Sequence, residues 1–312
     1  MICVIALIVF SILAIFSVSY RPLAAEAFDC VFRRVTFRKC RTGLDKRLRA
    51  RLAGRAMRAH KRLGRFVYRY FEVLSWAFLI LLVLSLVQTG ISVYNYAAYG
   101  NCQGLDEEGF CVFDPTGQKA EQVSTCDVEG SVPQGKESLT PPTEFALAGN
   151  PSLGPSDAPV TVVEFGCFSC PNTAEQAPAV KRFVENRPDD VRFVFLDFPL
   201  EQHDHAVEAS LAAECVHRLA PKKYWDYHFL LFDRQGEFSS GNFRRWAQEV
   251  GVDSGRFDAC VNSSAAREAV TADMESGVDV GIYGTPTFFI NDDPLVGVKP
   301  YRFLKAKVRR AE

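Results

Sequence analysis

Hydrophobic and polar positions change rhythm several times along this chain. From Ile2 to Ser19 the sequence reads ICVIALIVFSILAIFSVS, 18 residues without a charge. As a helix that run would be roughly 27 Å long, just enough to reach across a hydrocarbon core of about 30 Å. A second run, from Leu74 to Tyr99, carries Trp76 near one end and Tyr94, Tyr96 and Tyr99 near the other, where amphipathic rings settle at a membrane interface. Between the two, Leu44, Leu48, Leu52, Leu63 and Val67 recur at helical spacing among arginines. That pattern fits a cationic helix on an anionic inner leaflet and, equally, a solvated basic linker.

Beyond Gly100 the texture is irregular as far as Ala146, with Cys102, Cys111 and Cys126 and a Pro-rich end, SVPQGKESLTPPTE; it reads as a small stapled segment and a linker. From Pro159 a β-branched run, PVTVVEFG, predicts a buried strand, residues 171–186 a helix, and VRFVFLDF a second strand. Strand, helix, strand within 40 residues is a βαβ unit, which puts the domain in the α/β class. Residues 203–264 read as several helices. TPTFFIN and PLVGV follow as a hairpin turning at Asp292-Asp293-Pro294, and KPYRFLKAKVRR closes as an amphipathic helix.

Charge adds direction to this picture. The net charge is −1, but residues 21–70 hold 16 basic against 3 acidic side chains, and residues 71–312 carry a net −14. A short basic loop between two spans stays cytoplasmic, so the expectation is a multi-pass protein of the cell membrane, in contact with the lipid bilayer, with everything after about Gly100 outside the cytoplasm. The alternative for residues 1–20 is a signal peptide cut within Pro22-Leu23-Ala24-Ala25-Glu26-Ala27; the missing positive charge before the apolar run speaks against it. The organisation expected is therefore a membrane helix over 1–20, a basic loop over 21–71, a second membrane helix over 72–99, a cysteine-containing segment over 100–146 and a folded domain over 147–312. The acidic remainder excludes a nucleic-acid partner, which would need a basic face, and no glycine-rich loop supports a nucleotide.

Ten cysteines indicate an oxidising compartment. Cys167 and Cys170 stand at C-x-x-C spacing on the turn from the first strand into a helix. A thiolate there is stabilised by free backbone N–H groups and the helix dipole, which lowers its pKa and makes it a competent nucleophile. Zinc would need two further ligands, and His203-Asp204-His205, the only close His pair, fits better as the opening of the helical region; no metal and no other cofactor are expected. Cys215 and Cys260 fall on the first and last helices of that region, as a structural disulfide or as two buried thiols. Cys102, Cys111 and Cys126 are three. With Cys102 and Cys111 as a possible pair, the odd one could link two chains, act as a relay to the active site, or be inert. Cys30 and Cys40 are expected to be reduced in the cytoplasmic loop.

GNPSLGPSDAPVTVVEFGCFSCP, then AAEC, YWDYHFLLF, FDACVNS and GTPTFFIN resemble the DsbA-type thiol-disulfide oxidoreductases over about residues 147–310. The resemblance implies a thioredoxin fold with an inserted helical subdomain over about 203–264, here preceded by two transmembrane helices. It also implies that Pro286, after Thr285, is the cis-proline of the loop that faces the active cysteines and receives the substrate chain. In the family the acid of V-x-E-F lies six residues before the nucleophilic cysteine of C-P-x-C. Glu164 lies six before Cys170, which Pro171 follows, and the family's second cysteine falls on Thr173. This register makes Cys170 the attacking thiol and Cys167 its resolving partner. Pro171 supports the same order, because proline favours the first helical turn and leaves Cys170 at the N-cap. Glu164 is either a buried proton carrier beneath the pair or a strand-end carboxylate in solvent.

The expected activity is protein thiol-disulfide exchange through Cys170 and Cys167, with Thr285, Pro286 and Glu164 completing the site. Its partners are cysteine-containing substrate proteins and a membrane redox partner. The competing class is a non-catalytic binding or redox-sensor module signalling through the basic loop, for which Thr173 in the family's second cysteine position is the main support.

Overall fold

A computed structural model of the chain describes residues 2–36, 38, 43–59, 61–106, 111, 126–127, 139–186 and 191–312. These form two units, residues 1–91 and 92–312.

In the first unit, helix α1 (Ile2–Phe16) is followed by a single turn at Val18–Tyr20 and helix α2 (Arg21–Val35). Ala6 and Ala27 are buried together, with Leu7 and Phe10 against them, so α1 and α2 form a close helical hairpin. A membrane span over residues 1–20 is thus not confirmed among the described residues. The helix stops at Phe16 because Ser17 is extended (φ −150°, ψ 125°), and Pro22 takes up the first turn of α2, where its missing N–H is harmless. Fifteen helical residues reach only roughly 22 Å, short of the hydrocarbon core. Helices α3 (Leu44–Ala59) and α4 (Lys61–Arg69) carry ten of the 16 basic residues. Cys30, expected as a free thiol, is disulfide-bonded, while Cys40 lies outside the described residues.

Helix α5 (Phe71–Tyr99) belongs to both units. Among the described residues its stretch Glu72–Tyr99 is the one helix long and apolar enough to cross a membrane, with a mean hydropathy of 2.1. Trp76, Phe78, Ile80, Leu81, Leu84 and Leu86 on it are exposed, which a core helix of a soluble domain would not tolerate.

The second unit is built on a five-stranded sheet. Strand β1 (Cys126–Asp127) precedes helix α6 (Glu144–Leu147), β2 (Ser152–Leu153), β3 (Val160–Gly166), helix α7 (Pro171–Glu185) and β4 (Val191–Asp197). Helices α8 (Ala206–Leu219), α9 (Tyr224–Asp233), α10 (Ser240–Glu249), α11 (Ser254–Val261) and α12 (Ser264–Asp279) follow, then β5 (Gly284–Thr285), β6 (Thr287–Ile290), β7 (Asp293–Val296) and helix α13 (Tyr301–Ala311). The strand order is β2-β4-β3-β6-β7, and β1 pairs separately with β5. Strands β3 and β4 run parallel through α7, and the other neighbours are antiparallel. The helical region runs on to Asp279 instead of ending near 264, because the Ser263 hydroxyl accepts from Ala266 N and starts another helix. The hairpin turns at Asn291 and Asp292, one step earlier than expected, with Asn291 at φ 51°. Pro294 sits in edge strand β7, where no further strand needs the N–H that proline lacks.

Both faces of the sheet are buried. Val162, Phe193, Phe195, Phe288 and Ile290 pack on one side, and Val163, Phe165, Val194, Leu196 and Phe289 on the other. That explains why β3 and β4 read as continuous apolar runs instead of alternating ones. Disulfides join Cys102 to Cys111 and Cys215 on α8 to Cys260 on α11.

Candidate active site around Cys170

Strand β3 ends at Gly166, where a Cβ would stand 2.5 Å from the Phe195 ring; only glycine lets the chain leave the sheet here. The next turn is closed by Cys170 N donating to Cys167 O at 3.0 Å. Phe168 points inward and is buried against Phe195, Phe232 and His228. From the helical region, Gln235 Nε2 donates to Phe168 O at 2.7 Å and Cys170 O at 3.0 Å. The loop is thus held at its centre by an aromatic plug and from outside by one amide. Gln235 was not visible as a site residue in the sequence, because it acts from 65 and 67 residues away.

Cys170 is the N-cap of α7 with Pro171 directly after it, and its backbone is extended (φ −79°, ψ 123°). Its side chain makes no capping hydrogen bond, but it stands at the positive end of the helix dipole. Across from it the Thr285-Pro286 bond is cis, and Thr285 O lies 3.5 Å from Cys170 Sγ. Thr173, in the first turn, is buried.

The disulfide partner of Cys170 differs from the expected one. Cys170 is joined to Cys126, 44 residues upstream, with the Cα atoms 6.3 Å apart, and Cys167 is a free, buried thiol. Strand β1 explains how Cys126 arrives: it pairs antiparallel with β5, Cys126 opposite Thr285 and Asp127 opposite Gly284. Asn172 Nδ2 is 3.6 Å from Cys126 Sγ, and Gln202 Nε2 donates to Asp127 O. The signal for this in the sequence was the odd count of three cysteines before the linker, for which a relay to the active site was one of three open readings; the bond to Cys170 itself was not readable.

Cys167 Sγ lies 3.6 Å from His203 Nδ1. Burial pushes the Cys167 thiol up, against the pull of backbone groups at Leu200, Ser169 and Cys170, while burial lowers His203 and favours a neutral, proton-accepting imidazole. So His203 faces Cys167, and it is His205 (φ 60°) that opens the helix. The ligand atoms of Cys126, Cys170 and His203 lie within 4.8 Å of one another. In the observed state two of those three are spent in a mutual S–S bond, which removes them as thiolate donors for a metal.

Glu164 is fully buried in β3, opposite Phe195 and Phe288, and burial raises its pKa from 4.5 to about 8. The solvent-exposed alternative is thereby excluded. Its side chain shares the face of Val162, whereas Cys167 and Cys170 cluster with Phe165 and the opposite face.

The thioredoxin family model matches residues 147–306. Over 139 residues the chain is 32% identical to Na(+)/H(+) antiporter NhaA 1 of Salinispora arenicola (strain CNS-205), a match covering 44% of this chain and 21% of that protein; the chain thus spans about a fifth of the length of the antiporters it matches. It is 26% identical over 178 residues to disulfide bond formation protein D of Bacillus subtilis (strain 168), covering 53% of this chain and 78% of that one. Among solved structures, the thiol-disulfide exchange protein alpha-DsbA2 from Wolbachia pipientis superposes with a TM-score of 0.51 at 22% identity, over 54% of this chain and 91% of that one, a likeness of fold.

Proposed function

Because the chain belongs to the thioredoxin family, its residues 147–306 matching that family's model, we propose that it is a protein thiol-disulfide oxidoreductase of the DsbA kind, anchored in a membrane and acting outside the cytoplasm. One observation carries the reading: the sulfur of Cys170 is in a disulfide at the N-terminus of α7, 3.5 Å from the carbonyl that precedes the cis-proline. A thiolate released there is stabilised by the helix terminus, so it is a good leaving group and a nucleophile at neutral pH. Attack by a substrate thiolate on the Cys170 disulfide forms a mixed disulfide, which a second thiol resolves. Cys167 is the near thiol for that second step, with His203 to take its proton. Thr285 offers its backbone to the incoming chain and Pro286 fixes the loop. Glu164, neutral at physiological pH, would hold a proton in reserve beneath the sheet.

Helix α5 serves as the anchor, being apolar, long and exposed. The excess of arginine and lysine on its N-terminal side, against the net −14 that follows, favours a cytoplasmic start and an exterior catalytic unit. The disulfides at Cys102–Cys111, Cys126–Cys170 and Cys215–Cys260 suit an oxidising space and a redox partner in the same membrane. A sensor or binding module is the second reading, favoured by Thr173 in the position of the family's second cysteine. Insulin reduction by the detergent-solubilised full chain separates the two: turnover by the wild type and none by Cys170→Ser supports the enzyme, and equal inactivity of both refutes it.

A further inference from the structure

In the observed state the backbone edge beside Cys170 is already occupied. Both Cys167 and Cys170 are at 0% exposure, and what covers the sulfur is the chain's own Cys126, in an extended segment hydrogen-bonded to the backbone edge at Gly284–Thr285. An extended segment that adds a strand to that edge, with a cysteine sulfur bonded to Cys170, has the arrangement a substrate would have in a mixed disulfide. Contacts to the segment reach beyond the S–S bond: Gln202 holds Asp127 O and Asn172 approaches Cys126 Sγ. A structural staple would need neither the strand pairing nor a free thiol beside it, and here the free thiol Cys167 sits next to a proton acceptor, His203 Nδ1 at 3.6 Å.

We propose that Cys126 is a third redox-active thiol, and that Cys126 and Asp127 act as an internal substrate on the edge where Cys170 exchanges with protein cysteines; this rests on the oxidoreductase reading. His203 accepts the proton of Cys167, and the resulting thiolate attacks Cys170 Sγ. The Cys167–Cys170 bond forms, the Cys126–Cys170 bond breaks, and the electron pair of that bond leaves on Cys126, which takes the proton back from His203. One disulfide and one thiol stand on each side, so no outside oxidant is needed. The C-x-x-C is then oxidised, and the edge is open to an exterior chain. The internal occupant therefore regulates entry. A tethered segment competes at an effective concentration in the millimolar range, so at equal intrinsic affinity it outcompetes a peptide thiol supplied at about 0.1 mM roughly tenfold.

The test uses the full chain in detergent. Disulfides are mapped by mass spectrometry of non-reduced peptides after equilibration in glutathione redox buffers, and the rate at which a cysteine peptide forms a mixed disulfide with Cys170 is followed separately. In the wild type the Cys126–Cys170 and Cys167–Cys170 linkages should interconvert with the buffer. Cys167→Ser should retain Cys126–Cys170 alone, and Cys126→Ser should hold Cys167–Cys170 and accept the peptide about tenfold faster. Gln202→Ala, which frees Asp127 O without touching a thiol, should speed the wild-type reaction in the same direction. A Cys126–Cys170 linkage that never exchanges, or a Cys126→Ser variant no faster than wild type, overturns the proposal. If mapping shows the interchange while insulin is not reduced, the internal relay stands and the oxidoreductase reading fails.

Discussion

Replacing Glu164 by Gln isolates the energetic consequence of a carboxyl buried in the sheet. The group lies between Phe195 and Phe288 on neighbouring strands, and burial raises its pKa from 4.5 to about 8. Folding thus raises the pKa, so the native state keeps a proton that the unfolded chain releases. The stability contributed by the neutral form is complete below pH 4.5 and is lost as pH rises towards 8, above which both states are ionised and the loss levels off. At about 1.4 kcal/mol per unit, the loss is roughly 1 kcal/mol at pH 5, about 3 at pH 7 and about 5 at pH 9. Asp273, raised to about 7, and Asp197, also raised by burial, slope the same way, but they are present in both proteins and cancel in the difference. Glu164→Gln keeps the shape and cannot ionise. Urea unfolding of the full chain in detergent, with disulfides oxidised and the buried Trp246 as fluorescent probe, should therefore show the variant gaining about 4 kcal/mol on the wild type between pH 5 and pH 9. Parallel stability curves for the two proteins would mean that Glu164 is ionised in the fold and that its burial has been misread.

The acid side should be governed by His228, fully buried among Phe168, Phe195, Trp225, Phe229 and Phe232, where burial lowers its pKa from 6.5 to about 3. The stability it contributes is present above pH 6.5 and falls away as pH drops towards 3, by about 3 kcal/mol at pH 4.5. His228→Leu should flatten that limb in the same unfolding series, and an unchanged acid limb would count against a neutral buried imidazole. Gly166→Ala places a Cβ 2.5 Å from one Phe195 ring carbon and 3.1 Å from Thr173 Cγ2. Overpacking at a site with no free volume should cost about 1–3 kcal/mol, read as a lower Tm together with slower insulin reduction as the loop shifts; a melting curve identical to wild type would show that the strand end has room.

Much of the domain could be read directly from local patterns. The β-branched runs at Val160–Gly166 and Val191–Asp197, the proline after Cys170 and the final hairpin act within a few residues, and backbone preference and periodicity fix them before any long-range contact forms. The two faces of the sheet are legible for the same reason, since a strand with no polar alternation must be covered twice. Cys215 and Cys260, 45 residues apart, were legible as a candidate disulfide because they are an even pair, but other residues that meet only across the fold were not. Cys126 joins Cys170 over a separation of 44 residues, His203 comes to Cys167 from 36 residues away, and Gln235 reaches the active loop from 65 and 67. The count of cysteines revealed that one thiol was unmatched, but its partner depends on which backbone edge is left open beside the sheet, and only the packed structure exposes β5 to β1. The length of the first apolar helix was not legible for a related reason. Its composition suits a membrane, but a serine in extended conformation and a helix that folds back to bury Ala6 on Ala27 set its length, because small side chains facing each other let two helices approach where lipid or solvent would otherwise lie.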